Sequence, residues 1–125
     1  MNKRQNKNIS NGVKIAVSST EKHFNGKVSD VFARCPYFVV AEIEDGKVQK
    51  TEVIENKTAN QLGQAGISAA QLMAEKDIKV VITKNVGPRA LDVLNQFNID
   101  IYAGDGAIEK VLQEFIDGKL KEFSQ

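Results

Sequence analysis

The stretch Ile78-Lys79-Val80-Val81-Ile82-Thr83, Lys84-Asn85-Val86-Gly87-Pro88-Arg89 and onward to Ile99-Asp100-Ile101-Tyr102-Ala103-Gly104 decides how this chain folds. The first block is a short apolar run of β-branched residues, which suits a strand buried on both faces. Pro88 has a fixed φ and no N–H to lose, so it fits the first turn of a helix. Ala90, Leu91, Leu94 and Phe97 follow at helical spacing and predict one apolar stripe. Asn98 tolerates the left-handed conformation that ends a helix. Ile99 to Ala103 is the next strand, and Gly104 ends it. A strand–helix–strand crossover results, right-handed by default.

Working outward, the 125 residues suit a single domain. Such a chain buries roughly two-thirds of its unfolded surface and needs no staples. With 17 basic and 16 acidic residues the net charge is +1, so no basic footprint for nucleic acid is present. The single cysteine, Cys35, excludes an intrachain disulfide. No apolar run approaches the ~20 residues that span a bilayer, and residues 1–12 lack the apolar core of a secretory signal. The expectation is a soluble cytoplasmic protein.

Residues 1–12 are rich in Asn and Lys and read as a flexible tail; residues 13–125 read as one domain. Val13 to Ser18 is the first strand. Ser19 to Lys27 is a polar loop holding His23, whose plain interpretation is a solvated imidazole. Val28 to Pro36 is irregular, with Phe32 as a buried anchor. Tyr37 to Ile43 is a strand, Asp45-Gly46 a hairpin turn, and Val48 to Glu55 a charged edge strand. A helix runs from about Ile67 to Lys76, with Ala69, Ala70, Leu72 and Met73 inward. Ile108, Val111, Leu112, Phe115 and Ile116 mark an amphipathic last helix that Gly118 ends. Leu120 and Phe123 dock the tail. The sum is a mixed five-stranded α/β sheet with helices on its faces.

Ligands of open α/β sheets bind beyond the C-terminal strand ends. Three loops gather there: the one after Ser18, the Asn85-Val86-Gly87 turn, and Gly104-Asp105-Gly106. Helix N-termini at those turns favour anions, and Arg89 adds a charge-assisted contact. The bland alternative is that these glycines serve turn geometry alone. Gly104-x-Gly106 is no dinucleotide fingerprint, because Glu109 stands where the third glycine belongs. No nucleophile, base and orienter occur together, and the carboxylates are too few for two-metal hydrolysis, so no enzyme is expected. Cys35 is either a half-buried thiol acting as a small apolar group or one ligand to a preassembled cluster, since a single thiol cannot hold a cluster alone.

The strand Val13 to Ser18, then Val28-Ser29-Asp30-Val31-Phe32-Ala33-Arg34-Cys35-Pro36-Tyr37-Phe38, resembles the dinitrogenase iron-molybdenum cofactor biosynthesis family, the group of NifX, NafY and the C-terminal domain of NifB. Val80-Val81-Ile82 into Asn85-Val86-Gly87, and Gly104-Asp105-Gly106 into the last helix, agree. Val31 stands where cofactor-binding members often carry His, and Ala33 where they carry Gly. The resemblance implies a three-layer α/β/α, ribonuclease H-like fold with sheet order 3-2-1-4-5 and strand 2 antiparallel. It implies a non-catalytic carrier of an iron-sulfur or iron-molybdenum cofactor that meets cluster donor and acceptor proteins. The residues placed at the cofactor are Cys35, Arg34, Asn85, Gly87, Arg89, Gly104 and Gly106, with Cys35 and His23 as metal ligands. The alternative is a binding or interaction module with no cluster, homodimeric through the Val48–Glu55 edge or the last helix.

Overall fold

The computed structural model describes residues 12–123. The expected tail over residues 1–12 therefore lies, Gly12 apart, outside the described residues. The elements in chain order are β1 (Val13–Ser19), a 3-10 turn (Phe32–Arg34), β2 (Tyr37–Glu44), β3 (Lys47–Glu55), α1 (Ala65–Glu75), β4 (Val80–Thr83), α2 (Pro88–Gln96), β5 (Asp100–Ala103), α3 (Ile108–Ile116) and β6 (Lys121–Glu122).

They form one mixed sheet of order β3-β2-β1-β4-β5-β6. The first five strands stand in the expected order. β2 is antiparallel to β1, with Val13 opposite Ile43 and Ser19 opposite Tyr37. β4 is parallel to β1, and β5 to β4. The sixth strand is an addition to the expected five. Lys121–Glu122 has no readable periodicity; it lies on β5 because Leu120 and Phe123 pack against the core and Phe123 N–H donates to Ile101 O at 2.8 Å.

The inner strands β1, β2 and β4 are largely apolar on both sides because both faces of the sheet are covered there. On one face Ala16, Phe38, Val40, Val81 and Ile101 pack with the 3-10 turn, α1 and α2. On the other, Ile15, Val17, Val39, Ala41, Ile43, Val80 and Ile82 pack with α3 through Val111, Leu112 and Phe115. These are the three layers. Among the described residues no helix is long and apolar enough to cross a membrane.

Local chemistry sets most of the boundaries. Asp45 and Gly46 take φ 56° and 74°, the paired positive angles of a two-residue hairpin. Pro88 opens α2 behind Gly87. Asp77 and Asn98 take φ 60° and 61° beyond α1 and α2. Behind them Ile78 N–H reaches Met73 O at 3.0 Å and Ile99 N–H reaches Leu94 O at 2.9 Å. Those bonds spend Ile78 and Ile99 on closing the helices, which is why β4 and β5 begin later than the apolar runs suggest. Phe97, expected on the buried stripe, is 46% exposed, because the helix ends on it and it turns away from the sheet.

Candidate functional site

β1, β4 and β5 end at one rim, and the antiparallel β2 starts there. Segment 28–36 is laced across it. Ser29 N–H donates to Ser18 O and Val28 N–H to Gly106 O, both at 2.8 Å, and Phe32 N–H donates to Asn85 O at 3.0 Å. Asn85 Nδ2 donates to Asp30 O at 3.1 Å. Ile108 N–H donates to Gly26 O at 3.0 Å, which ties the loop after β1 to the start of α3. Beneath the lacing, the buried hydroxyls of Ser18 and Thr83 share a 2.8 Å hydrogen bond. The three loops expected from sequence meet here.

Gly87 and Arg89 are exposed at the mouth of α2. The first intrahelical bond runs from Leu91 N–H to Gly87 O at 3.0 Å, so the Arg89 and Ala90 N–H groups precede the helical ladder. They carry the positive end of the helix dipole. Gly104 is buried at the end of β5, and Gly106 takes φ 95° in the turn into α3. Lys84 stands between two carboxylates, 3.6 Å from Asp30 Oδ1 and 3.8 Å from Asp105 Oδ2. These exposed pairs are weak, so the ammonium can exchange them for another anion. Arg34 is engaged differently from the expectation. Its Nη1 donates to Ala59 O and Gln61 O, both at 2.9 Å, and clamps the loop after β3.

Cys35 lies at the same rim, two residues before the Tyr37–Ser19 pair, but below its surface. Its side chain is 0% exposed and belongs to the core under α1 and α2. Sγ donates to Phe32 O at 3.2 Å. Asn56, also buried, holds the segment from below, donating to Ala33 O at 3.0 Å and Cys35 O at 2.8 Å. Burial pushes the thiol up to about 12, against the opposing hydrogen bonds from the Ser19 backbone and the Asn56 side chain. His23 is exposed, with Nε2 3.9 Å from Glu21 Oε1. Its neighbour Phe24 packs on the α3 face, whereas Cys35 packs on the opposite one. The sulfur and the imidazole are thus not presented together. Among the described residues no group of three or more His, Cys, Asp or Glu is placed to hold a metal ion.

The thiol makes a checkable prediction. The unfolded thiol ionises from about its ordinary 9.0, and the folded one only near 12. The unfolded chain therefore sheds its proton first, and stability falls as pH rises through that window. The slope is at most about 1.4 kcal/mol per pH unit. Denaturant unfolding of the wild type against Cys35→Ser should show the excess slope only in the wild type. A thiol reagent should leave native Cys35 unmodified at neutral pH.

Sequence reasoning did not single out Asn56, Ser18, Thr83 or Lys84. Only Lys84 carried a signal, as the charged residue that follows a strand into a helix-opening turn.

The fold is a three-layer α/β/α domain, one mixed sheet between two helical faces, with loops laced over its strand ends. Residues 13–118 match the family described as "Dinitrogenase iron-molybdenum cofactor", and the chain belongs to that family. It is 36% identical over 100 residues to an uncharacterized protein of Methanocaldococcus jannaschii, spanning 79% of this chain and 85% of that one. Among solved structures it is similar to the apo form of the orange protein from Desulfovibrio gigas, with a TM-score of 0.84 and 27% identity over 92% of this chain and 96% of that one. It is also similar to a Thermotoga protein provisionally named NifB, with a TM-score of 0.73 and 30% identity over 90% and 97% of the two chains.

Proposed function

We propose that this protein binds an anionic metal–sulfur cofactor, of iron-sulfur or iron-molybdenum type, at the strand-end rim and passes it between donor and acceptor proteins without chemistry of its own. The observation that carries this reading is the open N-terminus of α2, with Arg89 on its first turn, set beside Asn85, Gly87 and the Gly104–Gly106 turn in a chain of this family. Helix N–H groups and a guanidinium suit a compact anion. The D. gigas relative is named as an apo form, which fits a protein that takes up a ligand. Residues 13–125 act as the unit. Asp100 opens β5 and Asp105 follows its far end, so these carboxylates do not favour a hydrolytic site. Cys35 supports the rim from beneath, and Arg34 holds the neighbouring loop; the cargo meets backbone donors, Arg89 and Lys84.

The test is anaerobic incubation with isolated iron-molybdenum cofactor or a preformed iron-sulfur cluster, then gel filtration read by absorbance and metal content. The wild type should retain the chromophore. Arg89→Ala should weaken retention about tenfold, the scale of one charge-assisted contact. Cys35→Ser should leave it nearly unchanged. No chromophore on the wild type would end the proposal, and loss confined to Cys35→Ser would hand the ligand role back to the thiol.

A further inference from the structure

β3 is the outer strand of the sheet, and its free side carries no neighbouring strand among the described residues. All of Lys47–Glu55 is exposed except Val48 and Ile54, which are half-buried. Asn56 N–H donates to Pro36 O. By antiparallel alternation, Ile54 and Glu52 turn their backbone groups toward β2, and Glu55, Val53 and Thr51 turn theirs outward.

We infer that this edge pairs antiparallel with the same edge of a second copy, about a two-fold axis at Thr51. The strand's own order of residues carries the inference. In that register Thr51 meets Thr51 of the second copy, Lys50 meets its Glu52, and Glu52 meets its Lys50. Both charge pairs lie on one face, because Lys50 and Glu52 stand opposite Glu42 and Val40 of β2. The register shift at Glu42/Ile43 makes Gln49 the extra residue. Stepping over it brings Val53, 40% exposed, against Val48 of the second copy on the other face. Outward backbone bonds at Thr51 and Val53 join the two sheets into one.

Charges and a bulge are also the devices that blunt an edge. The sign order separates the two roles. Charges placed only to repel would meet like against like across the axis; here each lysine meets a glutamate. The contact is a two-strand seam, smaller than a standard stable interface, so association is concentration-dependent. β3 runs in the direction of β1, both being antiparallel to β2. The two rims therefore face opposite ends of the joined sheet, and both stay open.

The experiment is sedimentation equilibrium of the full chain over a wide concentration range at low salt. The weight-average mass should rise from 13.8 kDa toward twice that value. Lys50→Glu or Glu52→Lys places like charges across the axis twice and should weaken association at least tenfold. The double exchange K50E/E52K should restore it, while keeping any within-chain penalty opposite Glu42. Circular dichroism checks that all three variants fold. A mass that never rises, single variants that associate like the wild type, or a double variant that stays monomeric each overturns the proposal.

Discussion

Phe32→Ala is expected to lower the unfolding free energy by about 3–5 kcal/mol, a large share of the roughly 5–15 kcal/mol that holds a domain of this kind together. Phe32 is 0% exposed. Its ring centroid lies 5.4 Å from that of Phe38, tilted by 50°. It is the pin that fastens segment 28–36 to the sheet, so its loss opens a cavity directly under the rim. Denaturant unfolding should show a lower midpoint with an unchanged slope. Phe32→Leu, which keeps most of the volume, should cost less than about 1.5 kcal/mol. A second readout follows from Cys35 Sγ, which donates to Phe32 O: the loosened turn should make the native thiol reactive in Phe32→Ala. A stability loss below about 1 kcal/mol would mean that the turn is not docked as described.

Gly104→Val is expected to cost about 3 kcal/mol, with Gly104→Ala toward the lower end of the 1–3 kcal/mol range for overpacking. A Cβ at Gly104 would stand 2.7 Å from Ile82 Cγ2 and 3.1 Å from Val111 Cγ1. Both neighbours are β-branched and fully buried, so neither can swing aside cheaply. The strain falls where β4, β5 and α3 meet, one residue from Asp105 and two from Gly106. Retention of the proposed cofactor should therefore drop along with stability. Gly87 is the internal contrast, since a Cβ there meets nothing within 4 Å. If Gly104→Ala unfolds at the wild-type midpoint, the close approach of α3 to β4 is wrong.

The two glycines show how far residue type alone carries. Both were expected at the rim because the loops beyond the C-terminal strand ends gather there, with plain turn geometry as the alternative. Gly87 is at such a junction with no steric demand on it, whereas Gly104 is required by packing from two other elements. Arg34 and Cys35 diverge in a similar way. Both were expected to face the rim; the segment that carries them crosses it, but their side chains are turned to other partners. The carbonyls of Ala59 and Gln61 engage one, and the core encloses the other. Those partners lie far along the chain, and nothing in the local pattern around Phe32–Cys35 announces them.

The sequence by itself determined the alternation of strands and helices, the Asp45-Gly46 hairpin, the Pro88 start of α2 and the Asn98 stop. Each of these depends on the backbone preferences or periodicity of a few consecutive residues. Tertiary structure decided the rest. It paired Ser18 with Thr83, put Asn56 under Cys35, added β6, and closed the sulfur off from the rim. Those outcomes depend on which buried donor finds which acceptor across the fold, and on how much space neighbouring elements leave. Both are properties of the packed molecule that no local window of residues contains.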